Sequence, residues 1–254
     1  MIQSLMKGFI NARPKRHIEI KKWSIDRVLQ TIENWGQNWN LEPKLLTWKL
    51  ATLLAFTSSN RVSELRALDV NLMYKKPDGI VFHLKTHKKN RKSSVLPGSV
   101  FYPSYPENKL LCPCKCLEVY LEKTKKLRTE GKDPLFRAIV KPHHQVTTNT
   151  ISNWISRTIA KAGYDIKENQ KIAHSARGKS ATKAERQGKV SLEDIMKTAE
   201  WKQESTYRKH YYKPDFSIEY GRSILTATKA DSTYGKTGKD KVVVFQTCHK
   251  SGYN

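Results

Sequence analysis

Acidic residues are scarce in this chain: 23 Asp and Glu stand against 47 Lys and Arg in 254 residues, a formal net charge of +24. Such an excess repels itself in a folded domain unless a polyanion normally lies against it, so nucleic acid is the leading partner. Long apolar runs are lacking as well. No stretch approaches the roughly 18 apolar residues that span a bilayer, and neither end carries a lipidation motif, so no membrane partner is expected. Met1 to Ile10 lacks the basic-then-apolar layout of a secretory signal, and the four cysteines are expected as free thiols in a reducing, intracellular compartment. There is no internal repeat, no low-complexity stretch and no convincing cluster of carboxylates.

Three of the cysteines, Cys112, Cys114 and Cys116, form a CPCKC cluster. Zinc knuckles space their cysteines more widely and add a second pair, for which only Cys248 and His249 are available. The reading adopted is a turn at Pro113 followed by a helix whose apolar face includes Leu117, Tyr120 and Leu121, and no metal is expected.

With 38% hydrophobic residues the chain can bury a sizeable core, and its length suits one ordinary domain with a short appendage. Ser24 is placed to cap a helix running to about Trp35, with Ile25, Val28, Leu29 and Ile32 at helical spacing. Lys44 to Phe56 is apolar on most faces and reads as a buried helix. After the polar run Thr57 to Asn60 a short helix starts near Arg61, carrying Val62, Leu65 and Leu68. From Val70 to Leu96 the pattern turns to short β segments, with a turn at Lys76-Pro77-Asp78-Gly79 before Ile80 to Leu84 and a basic loop from Lys85 to Lys92. Pro97 to Pro106 reads as a Pro-rich connection. Helices are then expected at about 114 to 129, 149 to 162, 174 to 187 and 192 to 199. Ile151, Trp154, Ile155 and Ile159 share a face of the second, Gly163 and Gly188 act as stops, and Ser191 with Asp194 forms a capping box. A segment around 205 to 212 and a polar tail, with Val242 to Phe245 as a possible strand, complete the chain. The fold class expected is α+β, mainly helical with a small antiparallel sheet.

Five stretches carry residues suited to chemistry. Arg61 and Glu64 stand three apart at a helix start, which by itself equally describes an exposed ion pair. Lys85 leads into a basic loop, which alone reads as a solvated charge run or a nuclear-localisation patch. In IAHSARGKSATKAERQG (172 to 188), His174 and Arg177 lie one helical turn apart near a helix N-terminus, where backbone donors, an imidazole and a guanidinium converge on an anion such as phosphate. Trp201 follows the capped helix, and ESTYRKHYYKP (204 to 214) places Tyr211 ten residues later.

The ordered set Arg61, Lys85, His174-x-x-Arg177, Trp201 and Tyr211 resembles the active-site series of the tyrosine recombinase or phage integrase family, over about residues 44 to 214. The wording GFINARP, LKT, LCP, AHSARGKSAT and STYRKHYYKP is most similar to recombinases of DIRS-type retroelements and related eukaryotic mobile elements. The resemblance implies strand cleavage and rejoining of double-stranded DNA, site-specific recombination or integration, through a covalent 3′-phosphotyrosine and without a cofactor. It implies that Arg61 and Arg177 hold the scissile phosphate, that His174 and Trp201 donate further hydrogen bonds, that Lys85 protonates the departing 5′-hydroxyl, and that Tyr211 is the nucleophile. Glu64 would buttress the site through a neighbour. Lys88, Lys89, Arg91 and Lys92 would contact DNA phosphates.

The resemblance also implies a homo-oligomer on DNA and, in a eukaryotic cell, the nucleus. Residues 1 to 22 are expected to be a basic lead-in or the remnant of an N-terminal core-binding domain, 23 to 221 the catalytic domain, and 222 to 254 a polar tail. Other readings are an inactive, co-opted DNA-binding protein of the same fold, a type IB topoisomerase-like enzyme, and a generic basic RNA-binding protein that leaves the ordered series unexplained.

Overall fold

Ile25, Val28 and Ile32 bury one face of helix α1, Ile25–Asn34. Ser24 occupies its N-cap but makes no side-chain capping bond. Its backbone N–H donates to the Tyr164 hydroxyl at 3.0 Å, so a tertiary contact fixes this helix entry where a local cap was expected. The computed structural model describes residues 23–84, 98–128, 133–165 and 172–212. The lead-in 1–22, the basic loop from Lys85 to Lys92 and the tail 222–254 with Val242 to Phe245, Cys248 and His249 lie outside them.

Helix α2, Pro43–Ser58, opens on a proline whose missing N–H costs nothing in a first turn. It is buried nearly all round, and its hydroxyls solve their own desolvation problem. Thr47, Thr52, Thr57 and Ser58 each donate to the carbonyl four residues back, at 2.6–2.8 Å. Lys49 is fully buried in the same helix, with its ammonium donating to the Gly36 carbonyl at 3.3 Å. Burial pushes this lysine below its ordinary value. Helix α3, Val62–Arg66, follows a left-handed Ser59 (φ 50°) and buries Glu64 and Leu65.

Strands β1 (Met73–Lys76), β2 (Gly79–His83) and β3 (Ser99–Pro103) form one antiparallel sheet in the order β1-β2-β3. Lys76 pairs with Gly79 across the expected turn, and His83 with Ser99. The third strand replaces the Pro-rich connection expected from Pro97 to Pro106. Between the prolines, Val100 and Tyr102 point inward while Ser99 and Phe101 are exposed, and this period of two decides the local structure. Gly79 is required there, because a Cβ would stand 2.3 Å from the Tyr102 carbonyl oxygen.

Helix α4, Pro113–Thr124, begins at the CPCKC cluster with Cys112 as N-cap. All three thiols are buried: Cys112 Sγ accepts from the Tyr105 N–H (3.3 Å), and the Cys114 thiol donates to the Tyr102 carbonyl (3.4 Å). Helix α4 stops at Thr124 and a 3₁₀ turn continues to Leu127, short of the expected 129. Helix α5, Thr148–Lys161, is capped by the Thr147 hydroxyl and ends before Gly163, whose φ of +84° suits glycine.

Helices α6 (Ile172–Arg186), α7 (Leu192–Ala199) and α8 (Glu204–His210) complete the described structure. The Ser191 hydroxyl caps α7 by accepting from the Asp194 N–H. The Asp194 carboxylate accepts from that hydroxyl, where a full capping box would have it take the Ser191 N–H.

Apolar burial falls into two clusters. The larger unites α1 to α5, the sheet and the first turns of α6, with α2 packed against α4, α5 and α6. The smaller contains Ala181, Ile195, Ala199, Trp201 and Tyr207, and so joins the far half of α6 to α7 and α8. The described residues are therefore mainly helical with one small antiparallel sheet, as the sequence pattern predicts.

Candidate active site

Arg61 is brought in by the turn that ends α2. It is the N-cap of α3 and lies one residue outside the helix expected to contain it. Glu64 holds it from below: one carboxylate oxygen accepts from the Arg61 backbone N–H and the other from its guanidinium, both at 2.8 Å. Glu64 is buried and Arg61 half-buried, so this is not the exposed helix pair that the two residues alone could have been.

Helix α6 presents His174 in its first turn, with an exposed imidazole whose ring centre is 5.9 Å from that of Tyr211. One turn on, Arg177 is only 3% exposed. Its Nη2 donates to the Ala199 carbonyl, and its guanidinium carbon sits 4.9 Å from the Trp201 ring centre and 5.4 Å from that of Tyr211. Its Nε and Nη1 are buried without a hydrogen-bond partner, as is Nε1 of Trp201. Burial first, and next the positive Arg61, push Arg177 below its ordinary value, while Tyr211, Glu64 and Glu200 pull the other way. An arginine keeps its proton regardless, so two guanidinium nitrogens and an indole N–H in this cluster are donors without acceptors.

Trp201 follows Glu200, whose left-handed backbone (φ 52°) closes α7 and turns the chain toward α8. The indole lies against Tyr207 at 4.8 Å and Tyr211 at 4.6 Å between ring centres. Tyr211 caps the C-terminus of α8 and is half-buried. Tyr212 has other neighbours: its ring lies against Tyr207, and Arg208 sits over it at 5.0 Å.

The structure thus gathers His174, Arg177, Trp201 and Tyr211, with Arg61 and Glu64 felt electrostatically at Arg177. Lys85, Lys88, Lys89, Arg91 and Lys92 lie outside the described residues. Among the described residues no group of three or more His, Cys, Asp or Glu could hold a metal ion, and Cys114 and Cys116 are pushed up to about 12, chiefly by burial.

Two features escaped sequence reading. A Cβ on Gly178 would stand 2.5 Å from the Tyr211 carbonyl oxygen, and Tyr207 donates to Glu185 at 2.7 Å. The first had a faint signal in an isolated glycine inside a helical pattern, which costs helix stability. The second had none.

The model of the phage integrase family matches residues 20–217. The chain belongs to the phage integrase family. Solved structures of two recombinases share its fold. XerA recombinase superposes with a TM-score of 0.57 at 18% identity, over 89% of this chain and 74% of XerA. XerH, solved as a post-cleavage complex with its palindromic difH substrate, gives 0.57 at 17% identity, over 79% of this chain and 50% of XerH. This phage integrase family chain therefore spans about half of the XerH chain. No curated protein matches it by sequence.

Proposed function

We propose that this chain cuts and rejoins strands of double-stranded DNA through a covalent 3′-phosphotyrosine. The observation that carries the reading is the buried Arg177, with two unpartnered donors, next to the unpartnered indole N–H of Trp201 and under the ring of Tyr211. A scissile phosphate there supplies the missing acceptors. Arg61 and Arg177 stabilise the charge that builds on the non-bridging oxygens, and His174 and Trp201 add hydrogen bonds. Glu64 acts through Arg61.

In the step proposed, the Tyr211 hydroxyl attacks phosphorus and releases its proton to solvent, the bond to the 5′-oxygen breaks, and Lys85 gives that oxygen its proton. One phosphodiester is exchanged for another, so attack by a second DNA hydroxyl on the phosphotyrosine reverses the step without an energy source. Lys88, Lys89, Arg91 and Lys92 contact phosphates on either side. The AHSARGKSAT and STYRKHYYKP wording supports recombination or integration of a DIRS-type mobile element, by a homo-oligomer on DNA and in a nucleus. Family membership and the filled positions from Arg61 to Tyr211 support a working enzyme over an inactive, co-opted DNA-binding protein.

The test is incubation with a nicked duplex whose cleaved product cannot be religated, in excess EDTA. A protein–DNA adduct that survives denaturant is expected. No adduct from a protein that binds the duplex would leave only a binding function.

A further inference from the structure

Helix α8 rests on one face of α6. Gly178, Ala181, Thr182 and Glu185 recur at the spacing that lines up residues along a helix. At one end of this row Gly178 meets the backbone of Tyr211: a Cβ there would stand 2.5 Å from its carbonyl oxygen and 3.2 Å from its Cα. At the other end the Glu185 carboxylate accepts from the Tyr207 hydroxyl at 2.7 Å and pairs with Arg208 at 2.6 Å. Between them Ala181 packs in the same small cluster as Tyr207. Two attachments hold a short helix in both translation and rotation. Rotation matters here, because successive helical residues point about 100° apart and a slipped α8 would turn another tyrosine toward Arg177.

We propose that Gly178 and Glu185 are positioning residues for the strand-transfer step: Gly178 sets how closely the Tyr211 backbone approaches Arg177, and Glu185 sets the rotation of α8. This rests on Tyr211 being the nucleophile. The glycine runs against local preference, since alanine favours a helix interior over glycine, and what requires it is the main chain of Tyr211. That main chain cannot swing aside as a flexible side chain would. A methyl group at 178 must move Tyr211 bodily, while the main cluster, which contains neither residue, stays as it is.

The full chain is compared with Gly178→Ala, Glu185→Ala and Glu185→Gln for adduct formation at saturating nicked duplex, and for duplex binding. Gly178→Ala is expected to slow the adduct about a hundredfold, the usual effect of misplacing a reacting group by an ångström, with binding unchanged. Glu185→Ala slows it about tenfold, as for loss of a hydrogen bond to a charged group, and Glu185→Gln, which keeps an acceptor, restores most of the rate. A substrate with sulfur as the 5′ leaving atom departs without protonation and so rescues a lost general acid. It leaves the Gly178→Ala defect in place, because attack is what has failed.

Wild-type rates in Gly178→Ala or Glu185→Ala overturn the proposal for that residue while the function reading stands. A wild-type chain that forms no adduct overturns the function reading and the proposal together. Should Gly178→Ala not fold, hydrogen exchange of the free wild-type chain decides. Residues 204–212 are expected to be protected, and exchange at the rate of open chain would show that α8 is not seated on α6.

Discussion

Glu64 grips Arg61 at two points, its backbone N–H and its guanidinium, each at 2.8 Å. The carboxylate therefore fixes both the place where α3 begins and the direction of the arginine. Glu64→Ala is expected to lose about 1.5–3 kcal/mol of stability, as for a partly buried charge-assisted hydrogen bond. Cleavage should fall as well, since Arg61 is left to wander. Urea unfolding and adduct rates measure the two effects, and full-rate cleavage by a destabilised Glu64→Ala would separate Glu64 from the chemistry.

Arg177 stands in the opposite relation to stability. It is buried with two donors unused and feels the charge of a second arginine, an arrangement that costs the free protein and that, in the function proposed, a phosphate would offset. Arg177→Lys should lose roughly two to three decades of cleavage rate, because a point charge does not reproduce the planar grip on phosphate oxygens. Arg177→Met should abolish cleavage and raise the Tm of the DNA-free protein. A lowered Tm for Arg177→Met would mean that the contact with the Ala199 carbonyl outweighs the burial of charge.

Three tyrosines crowd α8 and its end, and their surroundings differ. Tyr207 is fully buried on Trp201 with its hydroxyl held by Glu185, Tyr212 packs on Tyr207 under Arg208, and Tyr211 lies against His174 and Arg177 as well as Trp201. The adduct should vanish with Tyr211→Phe and persist with Tyr212→Phe. With Tyr207→Phe it should persist but form up to about tenfold more slowly, because the same hydrogen bond to Glu185 is lost, with about 1.5 kcal/mol less stability. Loss only with Tyr212→Phe would move the nucleophile by one residue.

Alkali should unfold the protein from its thiols. Burial raises Cys114 and Cys116 to about 12, so the folded state keeps protons that the unfolded state releases. Their contribution is complete below the ordinary thiol value of about 8.5 and shrinks above it, by up to about 1.4 kcal/mol per pH unit for each thiol, until the folded value is passed. Lys49, pushed down by burial, works the other way and gains stability as pH climbs toward its ordinary value. Urea unfolding at about pH 8 and about pH 10 should show a flatter decline in Cys116→Ala and a steeper one in Lys49→Met. An identical slope in all three chains would contradict the assignment.

The charge of +24 predicts how binding responds to salt. With roughly 6 to 10 phosphates neutralised, duplex affinity should drop by about three to five decades between about 50 and 200 mM salt. Replacing Lys88, Lys89, Arg91 and Lys92 together should flatten that slope. Binding indifferent to salt would remove phosphate contact as its basis.

Periodicity made most elements legible: α1, α2, α5 and the β1–β2 hairpin lie within a few residues of their expected places, because burial of one face is written into spacing. It misled at Ser99–Pro103, where prolines obscured a five-residue strand that ends on one of them, and at Ser24, where the expected cap proved to be a long-range bond to Tyr164. Lys49 was unreadable in its apolar helix, since only the fold carries the Gly36 carbonyl to its ammonium.

A basic, mainly helical chain in which His174 and Arg177 share a helical turn is legible without coordinates, because those properties depend on composition and on residues a few positions apart. Three things had to wait for the packed chain: the burial of Arg177 under Trp201 and Tyr211, the contact of Tyr212 with Tyr207, and the space that Gly178 leaves for the Tyr211 backbone. Gly178 and Tyr211 are far apart along the chain, and their contact exists only because α8 folds back onto α6 through a small cluster of its own. Packing of that kind is set by how faces meet in space, which no local pattern records.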